Sequence, residues 1–421
     1  MPSTSLPNTE VPLERDPAVR EPPGGARGVA TAPRVLLVTG AYYPEISAAG
    51  VQCRAVAAAL GGRVRFSVMT TAVDRSLPAT DTVDDVIVHR LAVDVSSRRS
   101  RVDAAVRLVA RGLRAIQSCD VVHLHGCSRK NVPTTALARL LGKRIVLTLH
   151  TAGQDEPLVV RRGGRLAYWA FKSADLVLSV SPYLSARYRE ADLPEERLRL
   201  TPNGVDTNRF RPASRDERIA HRRALGWPEA EPVVLFVGFF SRDKRPDLLF
   251  RAWSQLAARG LRARLVYVGA KGGGYYEIDA SLARQILADA AALGHDNPVM
   301  FVEPTNEIEQ LFRAADIFVL PSAREAHPLA LLEAMACGLP SIATRLPGAT
   351  DVLIEDGING RLVPLDDEQA LANALIRLLT DRPAAWLMGA RARETVTTQY
   401  DVRKTAEQWA DAYYTVLASH R

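Results

Sequence analysis

The sequence has few cysteines and no long apolar run. The cysteines form no CxxC pair, which argues against a structural zinc site and for free thiols in a reducing compartment: Cys53, Cys119, Cys127 and Cys337. No apolar run reaches the roughly 18 residues that a membrane-spanning helix needs, and the first 33 residues lack the apolar centre of a secretory signal. The sequence therefore predicts a cytoplasmic protein.

Several motifs that identify other classes of protein are also missing. There is no GxxxxGK[ST] loop, so a P-loop nucleotide hydrolase is not supported, and no GxGxxG follows the first predicted strand. Aromatic residues make up only 6%, and no basic groove interleaved with aromatics is present, so we expect no nucleic-acid partner. Neither a DxD-like loop nor a set of residues with metal-ligand spacing stands out, and we expect no metal and no cofactor.

Charge is distributed unevenly along the chain. Residues 31–205 contain 25 lysines and arginines against 15 aspartates and glutamates, a balance of +10, whereas residues 206–421 contain 26 against 28, a balance of −2. An anionic small molecule and an anionic membrane face explain this asymmetry equally well. Residues 98–116 lie in a basic amphipathic segment that fits peripheral contact with the inner membrane face, although an ordinary packed helix fits it too.

Short β-branched runs alternate with helical patterns over most of the length. Strands that are apolar throughout and separated by helices indicate parallel sheets covered on both faces. We therefore predict an α/β protein with two doubly wound, Rossmann-like domains. The predicted strands are RVLLVT, RFSVMT, DVIVHRL, DVVHLH, RIVLTLH and DLVLSV in the first half, and VVLFVG, RLVYVG, VMFVEP, DIFVLPS and LPSIAT in the second.

The composition divides the chain into four parts. Residues 1–33 carry seven prolines and three glycines without an apolar pattern, which is typical of a disordered leader. The first domain covers 34–205 and the second 206–395, with the joint near the Pro- and Asn-Gly-containing stretch 201–212. Residues 396–421 read as a C-terminal helix that can pack back across the cleft. Ligands of open parallel sheets bind beyond the carboxyl ends of the strands. The loops that follow the strands are therefore the predicted positions of a functional site.

The ends of four of these strands carry candidate residues. Small residues open the helix after the first strand, where backbone N–H groups can approach an anion, although tight packing explains them equally well. His123, His125 and His150 lie at the ends of two strands, where a histidine either hydrogen-bonds a hydroxyl-rich ligand or is satisfied in the core. Arg242, Lys244 and Arg245 precede a helix predicted from about Pro246, an unfavourable place for cations unless an anion binds there.

Two glutamates, Glu325 and Glu333, flank an apolar run in REAHPLALLEAMACGLPSIATR. If both were on one helix, eight residues would separate them by about 12 Å. This excludes a glycosidase-type pair, whose carboxyl groups lie about 5 to 9.5 Å apart, and leaves two ends of an extended ligand. The ordinary alternative is a helix with one glutamate near its positive end and another facing solvent. A loop position for Glu325 and a position about two turns inside the helix for Glu333 suit the ligand interpretation best.

Taken in order along residues 34–400, the motifs resemble the retaining glycosyltransferases of family four. The most specific match is the ExxxxxxxE signature at Glu325 and Glu333, followed by AMACGLP. Supporting matches are NGVDTNRF at the joint, the VG…K of Gly238 to Lys244, ADIFVLPS and EDGINGRLV. The resemblance implies the GT-B fold, with the acceptor on the first domain and a nucleotide-diphosphate sugar mainly on the second.

The resemblance also implies roles for individual residues. Glu333 would accept hydrogen bonds from the ribose, Glu325 would hold the donor sugar and diphosphate, and Lys244 would neutralise the diphosphate. His150, in the family's TxHT segment, would contact the transferred sugar. The other implied donor-binding residues are Gly50, Gly238, Ala326, His327, Pro328 and Leu329. Fixed cations and helix N–H groups aimed at the leaving phosphate would lower the barrier without a metal.

The sequence departs from the family pattern in three places. Phe239 stands where the family has an arginine. We expect Arg242 to bind the donor phosphate in place of that arginine. The family's Gly-Gly is Ala49-Gly50, and its EGFG loop is EAHP here. We expect a retaining transfer of a hexose to a sugar, glycan or natural product, with a membrane-lipid acceptor or a non-catalytic nucleotide-sugar-binding protein as the alternatives.

Overall fold

The structure, a computed structural model, describes residues 32–92, 112–127, 131–270, 278–292 and 298–419. The predicted leader falls almost wholly outside these residues, as does the part of the basic segment up to residue 111. Residues 33–421 form one compact unit. In the described end of the basic segment, residues 112–118 are helical, with Ile116 buried and Arg114 exposed.

The first half of the described chain forms an eight-stranded sheet with the order β3-β4-β2-β1-β5-β6-β7-β8. Neighbouring strands are parallel except for β3, which pairs antiparallel with β4 at one edge. Its strands are β1 (Arg34–Thr39), β2 (Arg65–Ala72), β3 (Thr80–Val83), β4 (Val86–Ala92), β5 (Val121–His125), β6 (Arg144–Leu149), β7 (Leu176–Ser179) and β8 (Leu198–Leu200).

Helices cover this sheet. They are α1 (Ala48–Leu60), α2 (Asn131–Leu140), α3 (Pro157–Arg162), α4 (Arg165–Lys172) and α5 (Pro182–Arg189). Ser47 caps α1 by accepting a hydrogen bond from the backbone N–H of Gly50, and Ser181 caps α5 by accepting one from Leu184. Such caps satisfy backbone donors that have no partner within the helix.

The second half forms a six-stranded parallel sheet with the order β11-β10-β9-β12-β13-β14. Its strands are β9 (Val233–Val237), β10 (Arg264–Val268), β11 (Val299–Val302), β12 (Ile317–Leu320), β13 (Ser341–Thr344) and β14 (Arg361–Val363). Its helices are α6 (Arg215–Ala224), α7 (Pro246–Ala258), α8 (Ala280–Ala292), α9 (Ile308–Ala314), α10 (Leu329–Ala336), α11 (Glu368–Thr380) and α12 (Arg382–Gln399).

Each sheet is buried on both faces, as predicted. Successive side chains of a strand point to opposite faces, and in β1 Leu36 belongs to one core cluster while Val35 and Leu37 belong to another. In β9, Leu235 and Phe236 divide in the same way between the two clusters of the second sheet. This double burial explains why the strands are apolar throughout, and the predicted fold class is confirmed.

The last helix, α13 (Val402–Ala418), returns to the first domain. Its apolar face, including Trp409 and Tyr413, lies in the same core cluster as β1 and α1. It begins later than the predicted residue 396, because the chain breaks at Tyr400 and Asp401 between α12 and α13. The Asp401 side chain caps α13 by accepting from Arg403 N–H, and the Asp401 backbone forms a bridge with Val205, in the stretch between β8 and α6.

Three strands were missed from the sequence: β3, β8 and β14. They are three or four residues long, and all three lie at sheet edges. Short edge strands carry little apolar pattern, so the sequence offers no clear signal for them. All four cysteines are free, and three are buried: Cys53, Cys119 and Cys337.

Candidate active site

One of the cations after β9 and the first glutamate after β12 meet at the carboxyl ends of these neighbouring strands. The Lys244 ammonium donates to Glu325 Oε1 across 2.6 Å. The Glu325 side chain is almost fully buried and that of Lys244 is partly exposed. The fold therefore brings together two predicted residues that are 81 positions apart in sequence.

Glu325 lies in the loop before α10, and Glu333 lies inside that helix. Since α10 begins at Leu329, Glu333 is about one turn from its start and not the predicted two. The helical distance of about 12 Å does not apply between the two glutamates, because only one of them is helical. The residue before α10 is Pro328, which provides no side-chain cap, and no other described side chain is recorded as a cap there. The first N–H groups of α10 therefore suit an anion.

Burial sets the electrostatics of Glu333. Loss of hydration raises the pKa of this carboxyl to about 8, with the charge of Arg209 acting in the opposite direction and that of Glu309 adding to the rise. Arg209 itself is held by Glu309, with 2.7 Å between Nη2 and Oε2. Hydrogen bonds donated to a buried carboxyl stabilise its charged form, and ribose hydroxyls can donate such bonds.

The loop from Glu325 to Leu329 is packed between the two domains. The methyl group of Ala326 belongs to a core cluster of the first domain. The backbone carbonyl of His327 accepts a hydrogen bond from Asn203 Nδ2 at 2.9 Å. The His327 ring is buried against Tyr400, 5.4 Å between ring centres, and burial lowers its pKa to about 3. The His327 ring is therefore enclosed by protein, and the backbone carbonyl of His327 already has a hydrogen-bond partner.

The other predicted residues of the second domain have distinct surroundings. Gly238 ends β9 at a close approach of two backbones, since a Cβ on Gly269 would lie 2.0 Å from the Gly238 carbonyl oxygen. Arg242 is 87% exposed, with its Nε 3.3 Å from Asp279 Oδ2. Arg242 therefore pairs with a carboxylate at the surface in this structure, and its phosphate role stays a prediction.

In the first domain, His150 pairs with His125. His150 Nε2 and His125 Nδ1 are 2.8 Å apart, and the rings stack with 5.1 Å between centres. Burial lowers the pKa of His150 to about 4, so this imidazole is neutral at physiological pH. The neighbouring His123 bonds to Tyr413 and to Thr148. His123 is thus a core histidine satisfied by its neighbours, one of the alternatives that the sequence left open.

A buried aspartate holds the loop that presents His150. Asp155 accepts backbone hydrogen bonds from Cys127, His150 and Thr151 at 2.6, 2.8 and 2.8 Å. It thereby ties the ends of β5 and β6 together. Burial raises its pKa, and these three N–H donors work against that rise. Sequence reasoning missed Asp155, although its place five residues after His150 in LTLHTAGQDE is a usable signal.

Gly50 occupies a crowded position near the start of α1. A Cβ there would lie 2.5 Å from the Ala41 carbonyl oxygen and 3.0 Å from Ser47 Oγ. Gly50 thus lets the helix approach the loop after β1 closely. Packing alone therefore explains why this position is a glycine, in addition to its predicted role near the donor.

Arg324 connects the two domains beside this site. Arg324 Nη2 pairs with Asp243 at 2.5 Å, and its guanidinium lies where a Cβ on Gly153 would be, 2.2 Å from Nη1. Gly153 has φ +78°, a conformation that glycine adopts without strain. Arg324 and Gly153 were not singled out from the sequence.

A cavity of about 280 Å³ lies in the first domain beside the His150 loop. Apolar side chains from the ends of β5 and β6 and from α3 and α4 provide most of its wall. Among them are Leu124, Leu147, Val160, Ala170 and Phe171, with Gly153 at the side of the loop. Across the described ranges, no group of three or more histidine, cysteine or acidic side chains that could hold a metal is present.

Comparison with known proteins decides the family. The model described as Glycosyltransferase Family 4 matches residues 49–209, and the one described as Glycosyl transferases group 1 matches residues 231–381. The D-inositol 3-phosphate glycosyltransferase of Stackebrandtia nassauensis is 32% identical over 310 residues, which cover 70% of this chain and 68% of that protein. The chain belongs to glycosyltransferase family four.

Other similarities agree with this membership. The D-inositol 3-phosphate glycosyltransferase of Saccharomonospora viridis is 34% identical over 250 residues, 58% of this chain, and the match spans about half of that relative, 56% of its length. The structure of Anabaena HepE in complex with UDP and glucose superimposes with a TM-score of 0.74 at 21% identity, covering 90% of this chain and 99% of that one. At this level of identity the likeness concerns the fold alone, and that fold is GT-B.

Proposed function

We propose that this family-four protein transfers a hexose from a nucleotide-diphosphate sugar to a sugar, glycan or small natural-product acceptor, with retention of anomeric configuration. The observation that carries the proposal is the Lys244–Glu325 contact of 2.6 Å in front of the uncapped start of α10. A cation and free helix N–H groups at one place suit the diphosphate of such a donor.

In the proposed reaction, the bond between the sugar anomeric carbon and the diphosphate oxygen breaks, and the oxygen of the acceptor hydroxyl forms the new bond to that carbon on the same face. The proton of the acceptor hydroxyl passes to the leaving phosphate oxygen. The leaving diphosphate gains charge as the bond breaks. Lys244 and the N-terminus of α10 stabilise this charge, so departure needs no metal. Glu325 holds the donor sugar and orients the Lys244 ammonium.

The remaining residues position the two ends of the donor. Glu333 accepts from the ribose hydroxyls, and its burial favours such a donor-rich partner. His150, neutral and held by His125 and Asp155, contacts the transferred sugar. The main chain of Ala326 to Leu329 lines the diphosphate. Gly50 and Gly238 allow close approach, and Arg242 turns from Asp279 towards the phosphate when the donor binds.

The acceptor binds to the first domain in this proposal. The names of the two relatives give D-inositol 3-phosphate as what those proteins act on. The excess of cations in residues 31–205 is consistent with an anionic acceptor of similar size for this chain. We therefore favour a small phosphorylated polyol or sugar over a lipid.

The experiment is a donor and acceptor panel. The protein is incubated with uridine-, guanosine-, adenosine- and thymidine-diphosphate sugars, with and without inositol phosphate or sugar phosphates, in chelator and in magnesium. Release of nucleoside diphosphate that depends on acceptor is expected in both conditions, and the NMR coupling of the product's anomeric proton reports retention. No release and no donor binding by calorimetry would defeat the proposal, and dependence on magnesium would remove its metal-independent part.

A further inference from the structure

The helices α3 and α4 form an exposed hairpin on the first domain. They are joined by Gly163 and Gly164, and every residue from Arg161 to Leu166 is exposed. The outer side of this hairpin, called here the α3–α4 surface, combines cations with large apolar side chains. It consists of Arg161, Arg162, Arg165, Leu166, Trp169 and Lys172.

The apolar residues of this surface are not part of the core. Leu166 and Trp169, one helical turn apart on α4, are 69% and 41% exposed. The opposite side of the same helix is buried through Ala170 and Phe171, which also line the cavity. Since the buried side already anchors α4, the exposed parts of Leu166 and Trp169 are open to an external partner. A leucine and a tryptophan exposed together suit a membrane interface, where tryptophan is enriched.

The charge of this surface is of one sign. From Pro157 to Ala174 the sequence contains no aspartate and no glutamate. None of the four cations forms an ion pair with a described residue. Arginines elsewhere in the first domain do bind carboxylates: Arg34–Asp120, Arg54–Asp84, Arg144–Asp175, Arg189–Glu195 and Arg199–Asp411. The α3–α4 surface thus keeps its positive charge free for an external anionic partner.

We propose that the α3–α4 surface docks the protein on an anionic lipid bilayer. The arginines and Lys172 meet lipid headgroups, and Leu166 and Trp169 insert at the level of the headgroups. Each cation near such a surface contributes about a fivefold increase in binding, and a few shallow apolar side chains add to it without making binding permanent. The docking is therefore peripheral, reversible and sensitive to salt.

This surface differs from the basic segment 98–116, most of which lies outside the described residues. It does not specify a lipid acceptor, because docking concerns where the enzyme works and not what it glycosylates. The cavity lies directly behind the hairpin, since the inner side of α4 lines it.

The test is flotation of the full chain with phosphatidylcholine vesicles and with vesicles that also contain phosphatidylglycerol. We expect binding to the anionic vesicles only, lost at high salt. The triple variant Arg161→Gln, Arg162→Gln, Arg165→Gln should lower the partition coefficient about a hundredfold, because each of the three lost cations contributes about fivefold to binding. Leu166→Ser with Trp169→Ser should weaken binding as well.

A matched control is available in Trp386, which is 68% exposed on α12 of the second domain. Trp386→Ser should bind vesicles like the wild type, and the blue shift of tryptophan fluorescence on vesicles should vanish in Trp169→Phe but persist in Trp386→Phe. Donor hydrolysis in solution should be unchanged in all these variants, which separates this proposal from the proposed function.

Three results would overturn the proposal. They are equal binding to neutral and anionic vesicles, wild-type binding by the charge variant, and a concentration-dependent dimer in sedimentation that the Leu166→Ser, Trp169→Ser variant disrupts. The last result would assign the surface to a second copy of the chain.

Discussion

Lys244 Nζ lies 2.6 Å from Glu325 Oε1 and connects the loops that follow β9 and β12. Without a ligand, the carboxylate neutralises the cation that a diphosphate would otherwise meet. In the proposed function, a bound diphosphate brings more negative charge to the same ammonium, so Glu325 would both orient Lys244 and compete for it. The two residues should therefore respond differently to substitution.

Lys244→Met should weaken binding of the nucleoside diphosphate by about 10- to 100-fold, because a hydrogen bond to a charged group contributes about 1.5 to 3 kcal/mol. Glu325→Gln, which removes the competing charge, should leave this affinity unchanged or raise it. Calorimetric titration measures both. A loss of affinity of the same size in the two variants would show that the pair binds as a unit and would contradict the competition.

The two glutamates should separate binding from turnover. Glu333→Ala removes the acceptor proposed for the ribose and should weaken nucleoside-diphosphate affinity about tenfold or more. Glu325→Ala should lower turnover with the full donor without a comparable loss of that affinity. Calorimetry with the nucleotide and steady-state rates with the sugar donor give the two numbers. Equal effects of both substitutions on nucleotide affinity would contradict this division.

The raised pKa of Glu333 predicts a pH-dependent contribution to stability. In the folded protein this carboxyl binds its proton up to about pH 8, against an ordinary value of 4.5. The folded state therefore binds more protons than the unfolded state in this window, and the contribution of Glu333 is lost as the pH rises through it. Glu333→Gln, which stays neutral, should become more stable relative to wild type from pH 5 to pH 8. Urea unfolding at several pH values tests this, and a pH-independent difference would argue against burial of the charge.

His125 should act as a positioning residue for His150. Their nitrogens are 2.8 Å apart, and misplacing a substrate contact by about 1 Å can cost about a hundredfold in rate. His125→Ala should therefore lower kcat by about 10- to 100-fold with little change in nucleotide affinity. Because the pKa of His150 is lowered to about 4, its ionisation should not appear in the pH–rate profile above pH 5. A profile that titrates near the ordinary histidine value and loses that step in His150→Ala would disprove the neutral state.

Gly50 offers a test of packing against ligand binding. Gly50→Ala places a Cβ 2.5 Å from a backbone oxygen and should lower the free energy of unfolding by about 1 to 3 kcal/mol. Gly62→Ala is the matched control, since a Cβ there meets nothing within 4 Å. Chemical unfolding compares the two. Unchanged stability of Gly50→Ala together with weaker donor binding would assign this glycine to the ligand alone.

The sequence predicted the fold well because buried parallel strands have a strong apolar signal. Eleven predicted strands correspond to β1, β2, β4 to β7 and β9 to β13, whereas the short β3, β8 and β14 have too few buried positions to stand out. The helix after residue 396 was placed too early, because the break at Asp401 depends on a bridge to Val205 that only the folded chain forms.

The candidate site was predictable only in part. Motif residues such as Lys244 and Glu325 could be identified singly, but their 2.6 Å contact depends on β9 and β12 being neighbours in the sheet. Asn203 donates to the backbone of His327, 124 positions away, and such a contact leaves little trace in a pattern of residue types. The bond that Asp155 accepts from the backbone of Cys127 is equally hidden, although its position five residues after His150 is a local signal. Exposure of Leu166 and Trp169 was equally hidden, because the sequence of α4 is typical of a packed amphipathic helix.

The position of α13 has a consequence for how the protein is made. Its side chains Trp409 and Tyr413 complete the core that β1 and α1 begin, yet the ribosome delivers them after the whole second domain. Domains usually fold in order from the N-terminus as the chain emerges. Here the first domain must wait with part of its apolar surface uncovered while about 200 further residues are synthesised, at rates of about 5 to 20 residues per second. For that interval of tens of seconds at most, the nascent chain is a natural client for chaperones.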